Sequence, residues 1–70
     1  MKYTVIIEKS RNGYSAYVPD VPGCVAAAST RKETLRLMSE ALPLHFQLMR
    51  ETGEAIPEPT STAELIEVAA

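Results

Sequence analysis

The two side chains best suited to act as nucleophile, base or zinc ligand occur once each, as Cys24 and His45. One cysteine cannot form an internal disulfide, and two such ligands are too few for a zinc site built from nitrogen and sulfur alone. Cys24 has no histidine at the spacing of a known catalytic motif, so we expect its side chain to behave as a small apolar group. His45 falls on the apolar face of a predicted helix, which favours a core or interface role over a catalytic one.

Carboxylates offer the other route to chemistry, because Glu8 and Asp20 fall near a predicted strand and a predicted loop and could share a metal ion. Nucleases that use two metal ions need several converging carboxylates, and no third one is placed on this sheet. The chain also lacks a glycine-rich phosphate loop, a metal-binding spacing and a nucleophile elbow. The residues therefore predict no enzyme, no metal and no cofactor.

The charge pattern argues against nucleic acid as a direct partner. Seven basic and nine acidic residues give a formal net charge of −2, and no basic run is present. No apolar stretch approaches the ~20 residues of a membrane span, and the N-terminus lacks the apolar region of a signal peptide. With one unpaired cysteine, these features predict a cytoplasmic protein with no membrane partner.

The chain length predicts one domain over residues 1–70, without a C-terminal DNA-binding module. A chain of this size buries only about 60% of its unfolded surface, so its core alone stabilises it weakly. Because neither a disulfide nor a zinc site is expected, a partner or self-association is the remaining source of stability.

Alternating apolar and polar residues predict a β-hairpin, with strands over residues 2–9 and 14–18. Asn12-Gly13 lies between them, and this dipeptide tolerates the positive φ of a hairpin turn. Two prolines and a glycine then predict a rigid loop over residues 19–23, followed by a third strand of small residues over 24–28. The alanines of that strand leave room for a helix to pack across the sheet.

Ser29 or Thr30 is expected to cap a helix, and Thr30 with Glu33 forms a capping box. Gly53 suits the position after a helix end, so the helix is predicted over residues 31–52. Pro43 predicts a kinked single helix, with two helices broken at Leu42 as the alternative. The apolar face spans roughly 200°, against about 100° for an ordinary surface helix. This excess predicts a homo-oligomer, a dimer or a multiple of one, through Leu37, Leu44, His45 and Leu48, unless the C-terminal segment covers it.

The C-terminal segment is predicted to be extended over residues 54–59 because of its prolines, with a single turn after residue 60 and a short fourth strand over 65–69. The expected fold class is α+β: an antiparallel sheet with one long helix packed across it, in the order β-β-β-α-β.

These motifs together resemble the HicB-like antitoxin family, and their order and spacing match along nearly the whole chain. The resemblance rests on residues 2–8, Asn12-Gly13-Tyr14, Tyr17-Val18-Pro19-Asp20-Val21-Pro22-Gly23-Cys24, Thr30-x-x-Glu33, the long helix, and Gly53-Glu54-Ala55-Ile56-Pro57-Glu58-Pro59. It implies a partial ribonuclease-H-like fold. It also implies a non-catalytic protein that neutralises a HicA-type endoribonuclease toxin by direct contact.

A toxin partner makes the rigid loop a candidate contact, through Asp20, Val21, Pro22 and Gly23. A donor-poor loop with one carboxylate suits a basic partner, because little entropy is lost on docking. The alternative for Asp20 is that it only closes the turn through its own backbone. For the whole chain, two alternatives stay open: a self-assembling structural or regulatory domain without a toxin, and a degenerate ribonuclease-H-like nuclease.

Overall fold

The computed structural model describes residues 1–69, which form three β-strands followed by one α-helix. The strands are β1 (Ile6–Ser10), β2 (Gly13–Tyr17) and β3 (Val25–Ala28), and the helix is α1 (Arg31–Glu51). The sheet is antiparallel throughout, in the order β1-β2-β3. The α+β class and the hairpin are therefore confirmed, with β1 beginning four residues later than the alternation predicted.

The hairpin turn differs from its prediction in the role of Gly13. Ser10 pairs with Gly13, so the two turn residues are Arg11 and Asn12, and no described non-glycine residue has a positive φ. Gly13 is instead the first residue of β2, and a Cβ added there would lie 2.3 Å from the carbonyl oxygen of Ala28. Glycine is needed at this position because the backbone of β3 passes so close.

The core lies between the sheet and α1, which crosses β2 and β3. Thr34 is fully buried on the helix, where its hydroxyl donates to the Thr30 carbonyl at 2.8 Å. Small side chains on the sheet let the helix approach closely, as the alanines of the third strand predicted. The buried apolar residues are Ala16, Val18, Val21, Cys24 and Met38.

The helix begins as its capping residue predicted, since the Thr30 hydroxyl accepts the Glu33 amide at 3.1 Å. The Glu33 carboxylate pairs with Arg36, so only half of the capping box is formed. Gly53, at φ +79°, ends the helix, with its amide bonded to the Arg50 carbonyl. The helix passes through Pro43 without interruption, so the alternative of two helices is wrong.

The C-terminal segment is the main departure from the predicted fold. Residues 54–69 form no strand and no helix, so the single turn and the fourth strand over 65–69 are wrong. The sheet that the structure describes has three strands, and the ribonuclease-H-like topology implied by the resemblance is not confirmed. Residues 57–61 are instead held by hydrogen bonds that involve the side chains of Tyr3, Thr4 and Asp20.

Candidate functional site

The loop between β2 and β3 consists of two successive turns that leave its tip exposed. The Val21 amide donates to the Val18 carbonyl at 3.0 Å, and the Cys24 amide donates to the Val21 carbonyl at 3.2 Å. Val21 is buried in the core, whereas Pro22 and Gly23 are exposed. Gly23 has φ +89°, a conformation that glycine adopts without strain. The loop is therefore fixed at its base by a buried valine and by two backbone bonds.

Asp20 binds the C-terminal segment through its carboxylate. Oδ2 accepts the backbone amide of Ser61 at 2.8 Å, and Oδ1 accepts the hydroxyls of Ser61 and Thr60 at 2.7 Å and 3.1 Å. On the neighbouring N-terminal segment, the Thr4 hydroxyl donates to the Ser61 carbonyl at 2.7 Å. We call Asp20, Thr4, Thr60 and Ser61 the clasp.

The structure separates the four residues proposed to contact a toxin. Val21 is part of the core and offers no free surface, and Asp20 already accepts three hydrogen bonds within the clasp. Pro22 and Gly23 remain exposed at the tip of the loop. The toxin contact stays a prediction, and Pro22 and Gly23 are the exposed residues among the four. The clasp was missed from sequence because its partners lie 40 or more positions apart.

An open groove lies beside the tip of the loop, along the edge of the helix. Leu44 and Leu48 are 65% and 60% exposed, and Val25 of β3 is 68% exposed. His45 is half-buried, and a Cβ added to Gly23 would lie 3.9 Å from its Cε1 atom. The groove is lined by Gly23, Cys24, Val25, Ala41, Leu44, His45 and Leu48.

The groove joins the two sets of candidate residues, because Gly23 comes from the loop and Leu44, His45 and Leu48 come from the proposed self-association face. Leu37 is half-buried and does not line it. Val25 was missed by the sequence analysis. Its signal is its place in the alternation of β3, where it points away from the half-buried Ala26. The excess apolar face predicted for the helix is thus exposed at Leu44 and Leu48.

The described residues offer an apolar surface rather than reactive groups. Burial raises the pKa of the Cys24 thiol, which keeps it protonated and unreactive. Cys24 packs against Met38, with 3.8 Å between the two sulfur atoms. Within residues 1–69, no three histidine, cysteine or acidic side chains lie close enough together to hold a metal ion. Over the same residues, the one helix is too polar to cross a membrane.

Similarity to known proteins is found along almost the whole chain. Residues 3–69 match the family model described as the HicB_like antitoxin of bacterial toxin-antitoxin system. A UPF0150 protein of Thermoplasma acidophilum is 41% identical over 58 residues, which cover 81% of this chain and 84% of the relative. A UPF0150 protein of Archaeoglobus fulgidus is 36% identical over 59 residues, or 80% and 86% of the two chains.

A longer relative also matches. An uncharacterized 14.9 kDa protein from the rep-hol intergenic region of Haemophilus phage HP1 is 38% identical over 66 residues. The matched residues cover 94% of this chain and 50% of the phage protein. The chain therefore spans about half the length of this relative and most of the length of the two archaeal ones.

Proposed function

Because the chain belongs to the HicB-like antitoxin family of bacterial toxin-antitoxin systems, we propose that it neutralises a HicA-type endoribonuclease toxin by direct protein contact. The family match over residues 3–69 is the observation that carries this proposal. The exposed loop tip and the adjoining open groove supply a protein-binding surface. The protein acts in this proposal as a non-catalytic, cytoplasmic binding domain.

The tip of the loop is the part of the surface best prepared for docking. Pro22 and Gly23 project from a loop that is fixed by the buried Val21 and by two backbone hydrogen bonds. A surface that is already rigid loses little entropy when it binds. The tip also adjoins the apolar groove, so one partner can cover both surfaces at once.

Direct binding to nucleic acid is not part of the proposed function. Arg31, Lys32 and Arg36 are the nearest approach to a basic surface in the sequence. Arg36 is paired with Glu33 and Glu40 on the same helix face, which reduces its attraction for phosphates. We therefore expect weak and strongly salt-dependent RNA or operator binding at most.

The test begins with the gene beside this one, which should encode a small basic protein with ribonuclease activity. Purified chain should inhibit that ribonuclease at equimolar concentration, as followed by cleavage of a labelled RNA. Full RNA cleavage at a several-fold excess of this chain, or the lack of such a neighbouring protein, would overturn the proposal.

Two variants locate the contact. Pro22→Lys places a cation at the tip and should raise the toxin dissociation constant at least about ten-fold through repulsion of a basic partner. Ser10→Lys adds the same charge at the exposed hairpin and serves as the control. Asp20→Ala should also weaken binding, by removing the carboxylate and by releasing residues 60 and 61. Unchanged binding in both the Pro22 and the Asp20 variants, with the fold intact, would exclude the loop.

Self-assembly without a toxin is the second candidate function. The observation that favours it is the exposure of Leu44, Leu48 and Val25 around one groove, since isolated small domains seldom leave three large apolar side chains together in water. A structural or regulatory oligomer would cover this groove with a second copy. Its distinguishing result is a stable oligomer that leaves the neighbouring ribonuclease fully active.

A further inference from the structure

The C-terminal residues beyond the clasp carry apolar side chains that are largely exposed. Leu65 is fully exposed, and Ile66 and Val68 are 83% and 74% exposed. Residues 62–69 form no helix and no strand, although isoleucine and valine favour strands. We call residues 62–69 the tail. An apolar segment of this kind is expected to find a partner.

The outer edge of β3 is the part of the sheet best suited to accept an added strand. Within residues 1–69, β3 pairs only with β2, so its outer edge presents free backbone donors and acceptors. Its four residues are one valine and three alanines, without charge or proline. The opposite outer strand, β1, carries Glu8 and Lys9, and charges of this kind protect an edge against added strands. The unprotected edge also borders the groove formed with Leu44 and Leu48.

The charges of the chain are divided between the body and the C-terminal segment. All seven basic residues lie within residues 1–50, together with four of the nine acidic ones, so this part has a net charge of +3. Residues 51–70 carry the other five acidic residues and no basic one. Two of the cations, Arg31 and Lys32, begin α1, two residues after the end of β3. An acidic tail therefore complements the β3 end of a body.

We propose that the tail of one copy adds as an antiparallel strand to the outer edge of β3 in a second copy, and that the exchange is reciprocal. In antiparallel pairing, Val68 lies near Val25 and the groove, while Glu64 lies near Arg31 and Lys32. Ile66 and Val68 then lie on the same face of the sheet as Val25, which points away from Ala26 and the helix, and they cover this exposed valine. The free edge of β3 and the apolar side chains of the tail both gain a partner in this contact.

A second copy is favoured over the same chain because the tail extends away from its own body. The clasp holds Ser61 between Thr4, two residues before β1, and Asp20, in the loop that leads to β3. Beyond the clasp, Leu65, Ile66 and Val68 are exposed, so the tail does not cover the β3 edge of its own chain. This inference does not depend on the toxin, and the purified chain alone is sufficient to test it.

Sedimentation of the native sequence at micromolar concentration is the first measurement. We expect a dimer or a multiple of it, and a monomer of 7.7 kDa would overturn the proposal. Ile66→Asp should raise the dimer dissociation constant at least about ten-fold, because it places a charge beside the exposed side chain of Val25. Ala55→Asp adds the same charge at an exposed site before the clasp and should leave the dimer intact. Equal effects of the two variants would also overturn it.

Disulfide cross-linking then identifies which surfaces meet. In a Cys24→Ala background, Val25→Cys and Val68→Cys chains of different mass are mixed and oxidised. The expected product is a mixed disulfide between residue 25 of one chain and residue 68 of the other. Glu64→Cys in place of Val68→Cys is the control for direction and should react poorly. A predominant 25–25 product, which indicates that two β3 edges pair, would contradict the proposal, and so would a preference for residue 64.

Docking of the tail on β3 of its own chain would give a different disulfide product. The chain that carries both Val25→Cys and Val68→Cys should form interchain bonds at micromolar concentration. A monomeric product that is closed by an internal disulfide and is insensitive to dilution would place the tail on its own sheet and overturn the exchange.

Discussion

At the scale of single residues, the carboxylate of Asp20 connects the loop to residues far away in the sequence. It accepts three hydrogen bonds from Thr60 and Ser61. Those bonds, led by the one from the Ser61 amide, hold the pKa of the Asp20 carboxyl below its ordinary value. The ionised form is thus the one that fixes the C-terminal segment beside the loop and β1.

The clasp is consequently expected to open in acid. The pKa of Asp20 in the unfolded chain is about 3.9, and the folded pKa is lower, so its stabilising effect is complete above the unfolded value and is lost as the pH falls through the folded one. An NMR titration from about pH 6 to about pH 2 should show the Ser61 amide shifting with an apparent pKa below ~3.9. Asp20→Asn should abolish that transition. A midpoint above the unfolded value, or the same transition in Asp20→Asn, would contradict the assignment.

Gly13 is important because the backbone at the end of β3 passes close to it. Gly13→Ala would place a Cβ against the backbone of β3, 2.3 Å from the Ala28 oxygen, so the strands must separate. We expect the free energy of unfolding to fall by about 1–3 kcal/mol or more, as for other overpacked sites. Urea unfolding measures this loss, and Asn12→Ala in the adjacent exposed turn is the matched control. Equal stability of the two variants would rule out the backbone contact as the reason for glycine.

At the scale of elements, α1 has a well-capped start and a well-defined end, and it contains a proline in its middle. The Thr30 hydroxyl caps the first turn, and Gly53 and Glu54 donate their amides to the Arg50 and Met49 carbonyls at the last one. Pro43 lies between them on the exposed side, where water can satisfy the backbone carbonyl that proline leaves free. The helix remains continuous because its ends and its buried face compensate for this proline.

Pro43→Ala should therefore increase the free energy of unfolding, by up to about 3 kcal/mol, since it restores a helical hydrogen bond and removes a steric clash. Chemical denaturation gives the value, and Gln47→Ala, exposed one turn later, should change it by less than about 0.5 kcal/mol. A loss of stability in Pro43→Ala would show that proline is required by the packing of α1.

At the scale of the whole molecule, a small core coexists with a large apolar surface. Within residues 1–69, five apolar side chains are fully buried, whereas exposed apolar residues surround the groove and occupy the tail. A chain of this size gains limited stability from its own core, so covering that surface with a partner should contribute to the folded state.

Thermal stability should accordingly depend on protein concentration. If the folded chain associates with itself, mass action raises Tm as the concentration increases. Calorimetry over a concentration range of about a hundred-fold should show a progressive upward shift, and Ile66→Asp should reduce it. A Tm that is independent of concentration in the native sequence would indicate a monomeric folding unit.

Local patterns in the sequence were sufficient for the hairpin, the third strand and the helix. The signals for these elements are apolar periodicity, the Thr30 cap and Gly53. Each signal involves residues only a few positions apart, so it can be read from the sequence. The family could also be recognised, because its motifs are short and ordered along the chain. The same local evidence predicted a fourth strand over residues 65–69, and this prediction was wrong, because a strand needs a partner edge that alternation does not specify.

Contacts between distant residues were decided only by the tertiary structure. The bonds from Thr60 and Ser61 to Asp20 span 40 and 41 positions, and no spacing rule connects them. The need for Gly13 likewise follows from a strand that passes nearby. Sequence determined which segments form strands and a helix, because those depend on local backbone preferences. Packing determined which side chains remain free, because burial depends on every element that covers them.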